Sequence, residues 1–154
     1  MKRPAPPLVS TRRRPAILAA LLAALAFAPA AAQAPMPEGA ALQRALEGLW
    51  CNSHDGGATC WAWDEFGPDG RLHLCGRADG DPRPFHGSGV VTVEGRRLCY
   101  RVEAASDNFW LPAGQTYCTA IVAIDTHTHR YRDLDSGAEF TLHRRPAAAR
   151  DCPR

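Results

Sequence analysis

The chain has 154 residues with 18 basic and 16 acidic side chains, which gives a formal net charge of +2. Five of the basic residues lie within 2–14, so residues 33–154 hold 13 basic against 16 acidic residues and carry a net charge of −3. This balance argues against nucleic acid as a partner. The apolar run at 16–27 has 12 residues, short of the roughly 20 that a bilayer span needs, so no membrane span is predicted.

The N-terminal segment has the order of a secretory signal. A segment with five basic residues, 2–14, precedes an uncharged apolar run at 16–27, and small residues follow. That order predicts a Sec-type signal peptide over residues 1–32, cut before Gln33, with a cut after Ala34 as the alternative. The expected location is therefore periplasmic or secreted, in a bacterium, where cysteines meet an oxidising environment.

The segment that follows the leader, 33–47, is predicted to form one short helix. Leu42, Ala45 and Leu46 follow helical spacing, and Gly48 is a natural helix stop. Beyond this point the apolar pattern changes to a period of two, which is typical of strands. Residues 48–145 are predicted to form the β domain and 146–154 a short C-terminal tail.

The β domain contains eight strand candidates joined by turn chemistry. Because the strands follow one another as sequential hairpins with no helical crossover, they are expected to be antiparallel. Eight sequential strands favour an all-β, up-and-down barrel that closes its own edges. The longest connection, 104–115, carries Phe109 and Trp110 and is expected either to fold over one barrel mouth or to form a binding lip. The strand candidates are Leu49–Ser53, Ala58–Phe66, Arg71–Arg77, Phe85–Val93, Arg96–Glu103, Thr116–Ile124, Thr128–Asp133 and Ala138–Arg144.

A short motif at the start of the first strand resembles a known family. Gly48-Leu49-Trp50, after a short helix and at the head of an eight-strand meander, is similar to the Gly-x-Trp signature of lipocalins and related calycin-type barrels. In that family the tryptophan closes one end of the barrel, and a basic residue late in the last strand packs over it. The resemblance implies these structural roles for Trp50 and for Arg144 or Arg145.

The six cysteines are predicted to form structural disulfides. If the fifth and sixth strands form a hairpin, Cys99 lies directly across from Cys118, at a separation that a disulfide can bridge. Two cysteines that flank a Gly-rich turn are expected to bond locally, and the remaining two would then pair. No Cys-x-x-Cys spacing is present, which argues against a thiol oxidoreductase or a zinc ribbon. The other two predicted pairs are Cys51–Cys60 and Cys75–Cys152.

One segment is a candidate metal site. On an extended strand Asp125, His127 and His129 would project to one face, and a three-residue loop at 135–137 would place His143 opposite His129. The same segment lies where a hairpin turn is needed, and a turn would scatter these side chains. Both interpretations remain open at this point, with the turn favoured.

The remaining motifs do not assemble a catalytic centre. Ser53, His54 and Asp55 are adjacent in the chain, and adjacent residues cannot hold one another in triad geometry. Asp64 and Glu65 are sent to opposite faces by strand alternation, whereas glycosidase carboxylates must face one sugar. No enzymatic activity and no cofactor are therefore predicted.

The aromatic side chains favour a binding function. Trp61 and Trp63 are predicted to share one sheet face, either as core or as a pocket wall, while Tyr100 would lie on the fifth strand and Trp110 on the longest loop near a barrel mouth. The expected partner is a small apolar or sugar ligand or, if the interior is full, an envelope protein. The sequence does not determine the oligomeric state. The alternative function is that of a metal-binding protein or metal-dependent enzyme.

Overall fold

The structure is a computed structural model that describes residues 35–78 and 80–150. Eight antiparallel strands close into one barrel in sequential order, with β1 hydrogen-bonded to β8, so the predicted all-β meander is confirmed. The predicted signal peptide lies outside the described residues. None of the helices in the described part of the chain has the length and apolar character needed to cross a membrane. The elements are α1 (Gly39–Leu46), β1 (Gly48–Asn52), β2 (Ala62–Phe66), β3 (Arg71–Arg77), β4 (Pro84–Glu94), β5 (Arg97–Ala105), β6 (Thr116–Ile124), β7 (Thr128–Asp133), β8 (Glu139–Arg145) and a short 3₁₀ helix (Ala147–Ala149).

Helix α1 covers one end of the barrel. Leu42 and Leu46, one helical turn apart, are 0% and 1% exposed and pack into the interior core. The amide of Gly39 donates to the carbonyl of Gly95 in the β4–β5 turn, which fixes the start of the helix on the barrel end. This end is therefore closed, and we call it the floor.

Trp50 and Arg144 join α1 to the floor. Three carbonyls at the end of the helix accept hydrogen bonds: that of Leu46 from Trp50 Nε1 at 2.6 Å, and those of Ala45 and Glu47 from the Arg144 guanidinium at 2.6 Å each. These groups would otherwise be unpaired at a helix C-terminus. The guanidinium carbon also lies 4.1 Å from the centre of the fully buried Trp50 ring. Arg144, rather than Arg145, therefore packs over this tryptophan.

Gly48 is required where the chain passes from α1 to β1. Its φ of +115° is rarely adopted by other residues. A Cβ atom at this position would also lie 2.9 Å from Arg144 Nη1. The backbone at Gly48 thus leaves the space in which the arginine reaches the helix end.

Disulfides fasten the outer face of the barrel. The bonds Cys51–Cys60 and Cys99–Cys118 are both present, as predicted, and Cys99 is the direct cross-strand partner of Cys118. Cys75 is disulfide-bonded as well. The partner predicted for it, Cys152, lies outside the described residues.

The second strand begins later than predicted, at Ala62 rather than Ala58. Residues 53–60 form a loop because the Asp55 carboxylate accepts hydrogen bonds from the amide and hydroxyl of Thr59 at 2.7–3.1 Å. Ser53 Oγ accepts from the amide of Gly57 at 2.9 Å. The serine and the aspartate of the Ser-His-Asp run therefore shape a loop.

Candidate functional site

The barrel interior contains a cavity of about 320 Å³ that reaches the end opposite α1. Its walls come from inward-facing positions of the strands and from Trp110 in the β5–β6 loop. Three of its lining residues are exposed, Trp110 at 56%, Phe140 at 42% and Trp61 at 38%, which identifies this end as the mouth. This volume lies at the small end of the range for ligand pockets.

Contacting rings form the wall of the mouth. Trp61 meets Phe85 edge to face with centroids 6.4 Å apart, Phe85 lies 5.7 Å from Phe109, and Trp110 meets Tyr117 at 4.9 Å. On the other side Tyr131 stacks on Phe140 at 5.3 Å. The mouth is therefore lined by flat aromatic faces and edges from several strands and two loops.

Of the four predicted ligand-contacting residues, three line the cavity. Tyr100 and Trp110 lie in its wall, and Trp61 lies there because it precedes the first residue of β2 at the mouth. Trp63 does not share its face: it packs outside the barrel with Leu49 and the Cys51–Cys60 bridge. The prediction that Trp61 and Trp63 share one face is wrong, because Trp61 precedes β2 and does not follow the alternation of that strand. Trp63 is the cross-strand partner of Cys75.

The β5–β6 loop both covers the interior and borders the mouth. Phe109 is 6% exposed and packs against the core, whereas the adjacent Trp110 is exposed. Space for the Phe109 ring exists because β4 has glycine at position 87, where a Cβ atom would lie 2.7 Å from the ring. Phe109 therefore folds over the interior, as one of the two alternatives predicted, while Trp110 stands at the border of the mouth.

Gly87→Ala is expected to lower the free energy of unfolding by about 2 kcal/mol, because the added methyl group overpacks the site and displaces Phe109. Chemical denaturation measures this change, and the emission of Trp110 should shift as the loop moves. Ser88→Ala, at the next position of the same strand, is the control. Equal stability of the two variants would contradict the packing assigned to Phe109.

The groups proposed as metal ligands are not brought together. Asp125 and His127 lie in the β6–β7 turn, where the Asp125 carboxylate accepts hydrogen bonds from the amides of His127 and Thr128 at 2.7 and 2.6 Å. These bonds hold the pKa of Asp125 below its usual value. The described residues contain no group of three or more potential ligands arranged for a metal ion.

The pairing predicted for His143 is wrong by one residue. His143 lies opposite Thr128, and His129 lies opposite Leu142. The β7–β8 loop has one more residue than expected, since the amide of Asp133 donates to the carbonyl of Ala138 and leaves 134–137 as the loop. The shift sends the two imidazoles to opposite faces of the sheet.

Asp64 and His129 are ionisable groups buried within the cavity wall, and neither was predicted there. Asp64, 7% exposed, accepts a hydrogen bond from Asn52 Nδ2 at 3.1 Å. Burial raises the pKa of Asp64 to about 7, although the Asn52 bond opposes that shift. His129 is 3% exposed, and burial together with the charge of Arg144 lowers the pKa of its imidazole to about 4.

Several polar atoms in the wall have no partner in the described part of the chain. These are the Tyr100 hydroxyl and both ring nitrogens of His129. Tyr117 differs, because its hydroxyl donates to the Asp133 carboxylate at 2.6 Å. Buried polar atoms are normally hydrogen-bonded, so open ones inside a cavity indicate a site for a ligand or water.

The alternation pattern could have located these residues. Asp64 stands between Ala62 and Phe66, which both face inward, and it is the cross-strand partner of Trp50. On β7, His129 and Tyr131 alternate in the same way. No sequence signal distinguishes an inward polar residue in an open cavity from one in a filled core.

A larger groove of about 1050 Å³ runs along the outer face of β2, β3 and β4. C-terminal residues Ala147 and Arg150 form part of its wall, and the Arg150 guanidinium pairs with Glu65. The chain itself therefore occupies part of this groove. The interior cavity is the better candidate site because the strands enclose it and its wall combines aromatic rings with the buried ionisable groups of Asp64 and His129.

Fold and site together define a small eight-stranded β-barrel with an interior open at one end. No protein-family model matches the chain, and no curated protein sequence matches it. Among solved structures it is similar to an uncharacterized protein from Bacteroides eggerthii DSM 20697. The TM-score is 0.46 and the identity 9%, over 64% of this chain and 98% of that one. Function must therefore be argued from the site.

Proposed function

We propose that this protein is an exported binding protein without catalytic activity, which carries a small ligand inside its barrel. The observation that supports this function is the cavity of about 320 Å³ with an aromatic mouth. Small-molecule sites are typically concave and mainly apolar, with a few well-placed polar groups. The cavity has this composition, since Asp64, Tyr100 and His129 stand among apolar and aromatic side chains.

Two further features support the proposal. Disulfides persist mainly in oxidising compartments, which is consistent with a periplasmic or secreted protein. The contact between Trp50 and Arg144 at the floor is the one that the lipocalin resemblance implies. A lipocalin-like carrier binds its ligand within such a barrel.

The proposal is tested by filling the cavity. Ala62 lies in the cavity wall at 3% exposure, so Ala62→Leu adds bulk inside the site, whereas Ala123→Leu adds the same bulk at an exposed position of β6. Tryptophan fluorescence is titrated with a panel of small apolar compounds, amines and sugars. We expect ligands that change the emission of the parent protein to bind at least tenfold more weakly to Ala62→Leu and equally to Ala123→Leu.

Two results would contradict a ligand in the cavity. One is undiminished binding by Ala62→Leu, which would place the ligand elsewhere. The other is the absence of binding across the panel, which would favour an envelope protein that contacts the exposed aromatics at the mouth.

A further inference from the structure

The open polar groups of the cavity share one property, which is that each can accept a hydrogen bond. The Asp64 carboxylate accepts one bond, from Asn52, and it has no ion pair among the described residues. The Tyr100 hydroxyl has free lone pairs. His129 is neutral at pH 7, since the pKa of its imidazole is about 4, so one of its ring nitrogens is a bare acceptor.

The charge of the cavity wall has one sign. Asp64 and Asp133 both line the cavity, and no arginine or lysine does so among the described residues. The charge of Arg144 at the floor reaches His129, but its guanidinium is engaged with the Trp50 ring and the carbonyls of α1. A ligand with a positive charge would therefore enter a site that attracts it.

The aromatic wall suits the same kind of ligand. The faces of tryptophan and tyrosine rings attract cations through the ring quadrupole, and the attraction strengthens where water is excluded. Trp61, Trp110 and Phe140 border the mouth, the partly buried Tyr131 stacks on Phe140 there, and Tyr100 is buried in the wall at 2% exposure. A cation would thus pass aromatic rings from the entrance inwards.

On the basis of the proposed carrier function, we propose that the ligand is a small organic cation, a primary amine whose ammonium group binds Asp64. A primary ammonium has three N–H donors, as in a lysine side chain. The three open acceptors are Asp64, Tyr100 and His129. Because a water takes up about 30 Å³, the cavity corresponds to about ten waters, which suits a ligand of about ten non-hydrogen atoms.

The ionisation of Asp64 can be told apart from that of the groups that face it. Asn52 donates a hydrogen bond to Asp64 from β1. Burial raises the pKa values of Tyr100, Tyr117 and Tyr131 on β5, β6 and β7 above the usual tyrosine value, and the negative charge of Asp64 adds to this effect. Hydrogen bonds hold the pKa of Asp133 below its usual value, and His129 titrates near pH 4. Among these cavity groups, Asp64 is the one that changes charge between pH 5 and 8.

The experiment compares three probes of similar size and different charge by calorimetry: 2-phenylethylamine, the neutral 2-phenylethanol and the anion phenylacetate. At pH 8 we expect the amine to bind at least tenfold more tightly than the alcohol, and phenylacetate to bind most weakly. The affinity for the amine should fall as the pH is lowered from 8 to 5, with a midpoint near 7, because protonated Asp64 no longer attracts an ammonium group. The alcohol should show no such midpoint.

Two variants assign the effect to Asp64. Asp64→Asn removes the charge and should reduce the preference for the amine over the alcohol to less than twofold. Asp69→Asn removes the same charge from an exposed position of the β2–β3 turn, which does not line the cavity, and should keep the preference. Near-ultraviolet circular dichroism establishes that both variants are folded, and the pH profile of the parent protein tests the proposal independently of them.

The outcomes separate this proposal from the carrier function. If the alcohol or the anion binds as tightly as the amine, the ligand is not a cation, and the carrier function stands. If Asp64→Asn keeps the preference for the amine, the ammonium does not bind Asp64. If the parent protein binds none of the three probes, the amine proposal is overturned, and the wider panel with Ala62→Leu decides on the carrier function.

Discussion

Replacing Arg144 with methionine is expected to lower the free energy of unfolding by about 4 kcal/mol. The variant loses two hydrogen bonds from a charged donor, each contributing about 1.5–3 kcal/mol, and a cation–aromatic contact worth about 1 kcal/mol. The carbonyls of Ala45 and Glu47 would lose these donors at the end of α1. The expected result is a helix that detaches from the floor before the barrel unfolds.

The chain offers a matched control for this change in the next residue. Arg145 is also partly buried, and it stands on the opposite face of β8, close to Gly57 in the β1–β2 loop. Arg145→Met is therefore expected to cost less than about 1 kcal/mol, as is usual for a surface substitution. Denaturant titration followed by far-ultraviolet circular dichroism measures both variants. Equal losses would show that the contacts of Arg144 with α1 and Trp50 do not stabilise the protein.

Removing either buried ionisable group of the cavity should give the protein a new dependence on pH. Asp64 has a pKa of about 7 in the folded protein and about 4 when unfolded, so its contribution to stability is present at low pH and lost as the pH rises through 7. His129 has a folded pKa of about 4, below its unfolded value of 6.5, so its contribution is present above pH 6.5 and lost in acid. Between pH 4.5 and 6.5, a rise in pH therefore lowers the free energy of unfolding through Asp64 and raises it through His129.

Single substitutions separate these two contributions. From pH 4.5 to 6.5, Asp64→Asn should gain about 2 kcal/mol of stability relative to the parent protein, and His129→Gln should lose about 2 kcal/mol. Contributions from the other ionisable groups are common to all three proteins and cancel in the difference. Urea titrations at several pH values provide the free energies. Profiles parallel to that of the parent protein would show that these groups do not ionise as their burial requires.

The fold was predictable because its determinants are local in sequence. Period-two alternation and short turns define the hairpins, and the positions of Cys99 and Cys118 agree with the register that the structure has. Errors arose where a side chain reshapes the backbone. Because the Asp55 carboxylate accepts a hydrogen bond from the amide of Thr59, residues 58–60 lie in a loop and not in β2. The Asp133 carboxylate accepts hydrogen bonds from the amides of Asp135 and Ser136, which makes the β7–β8 loop longer than predicted. A carboxylate near a turn does not reveal from sequence which amides it binds.

The site was less predictable because it depends on volume. Alternation places Asp64 and His129 inside the barrel, but only packed coordinates show that space remains beside them. The sequence analysis missed three other cavity residues for the same reason: Tyr117, Tyr131 and Phe140. From sequence, an aromatic residue in a cavity wall has the same pattern as one in a filled core. Trp61 and Trp63 were predicted to share a face because they are two positions apart. They lie on different sides of the barrel wall because β2 begins at the residue between them.

The two loops beside the mouth are restrained unequally. The loop that leads to Trp61 is tied to β1 by Cys51–Cys60, whereas the loop that carries Trp110 is held by hydrogen bonds and ion pairs such as Arg83–Asp107. A covalent tether limits excursions that exposed ion pairs permit. For the proposed carrier function, we therefore expect a ligand to enter and leave on the Trp110 side, at a rate set by the opening of the Trp110 loop, while the disulfide-bonded Trp61 loop stays in place.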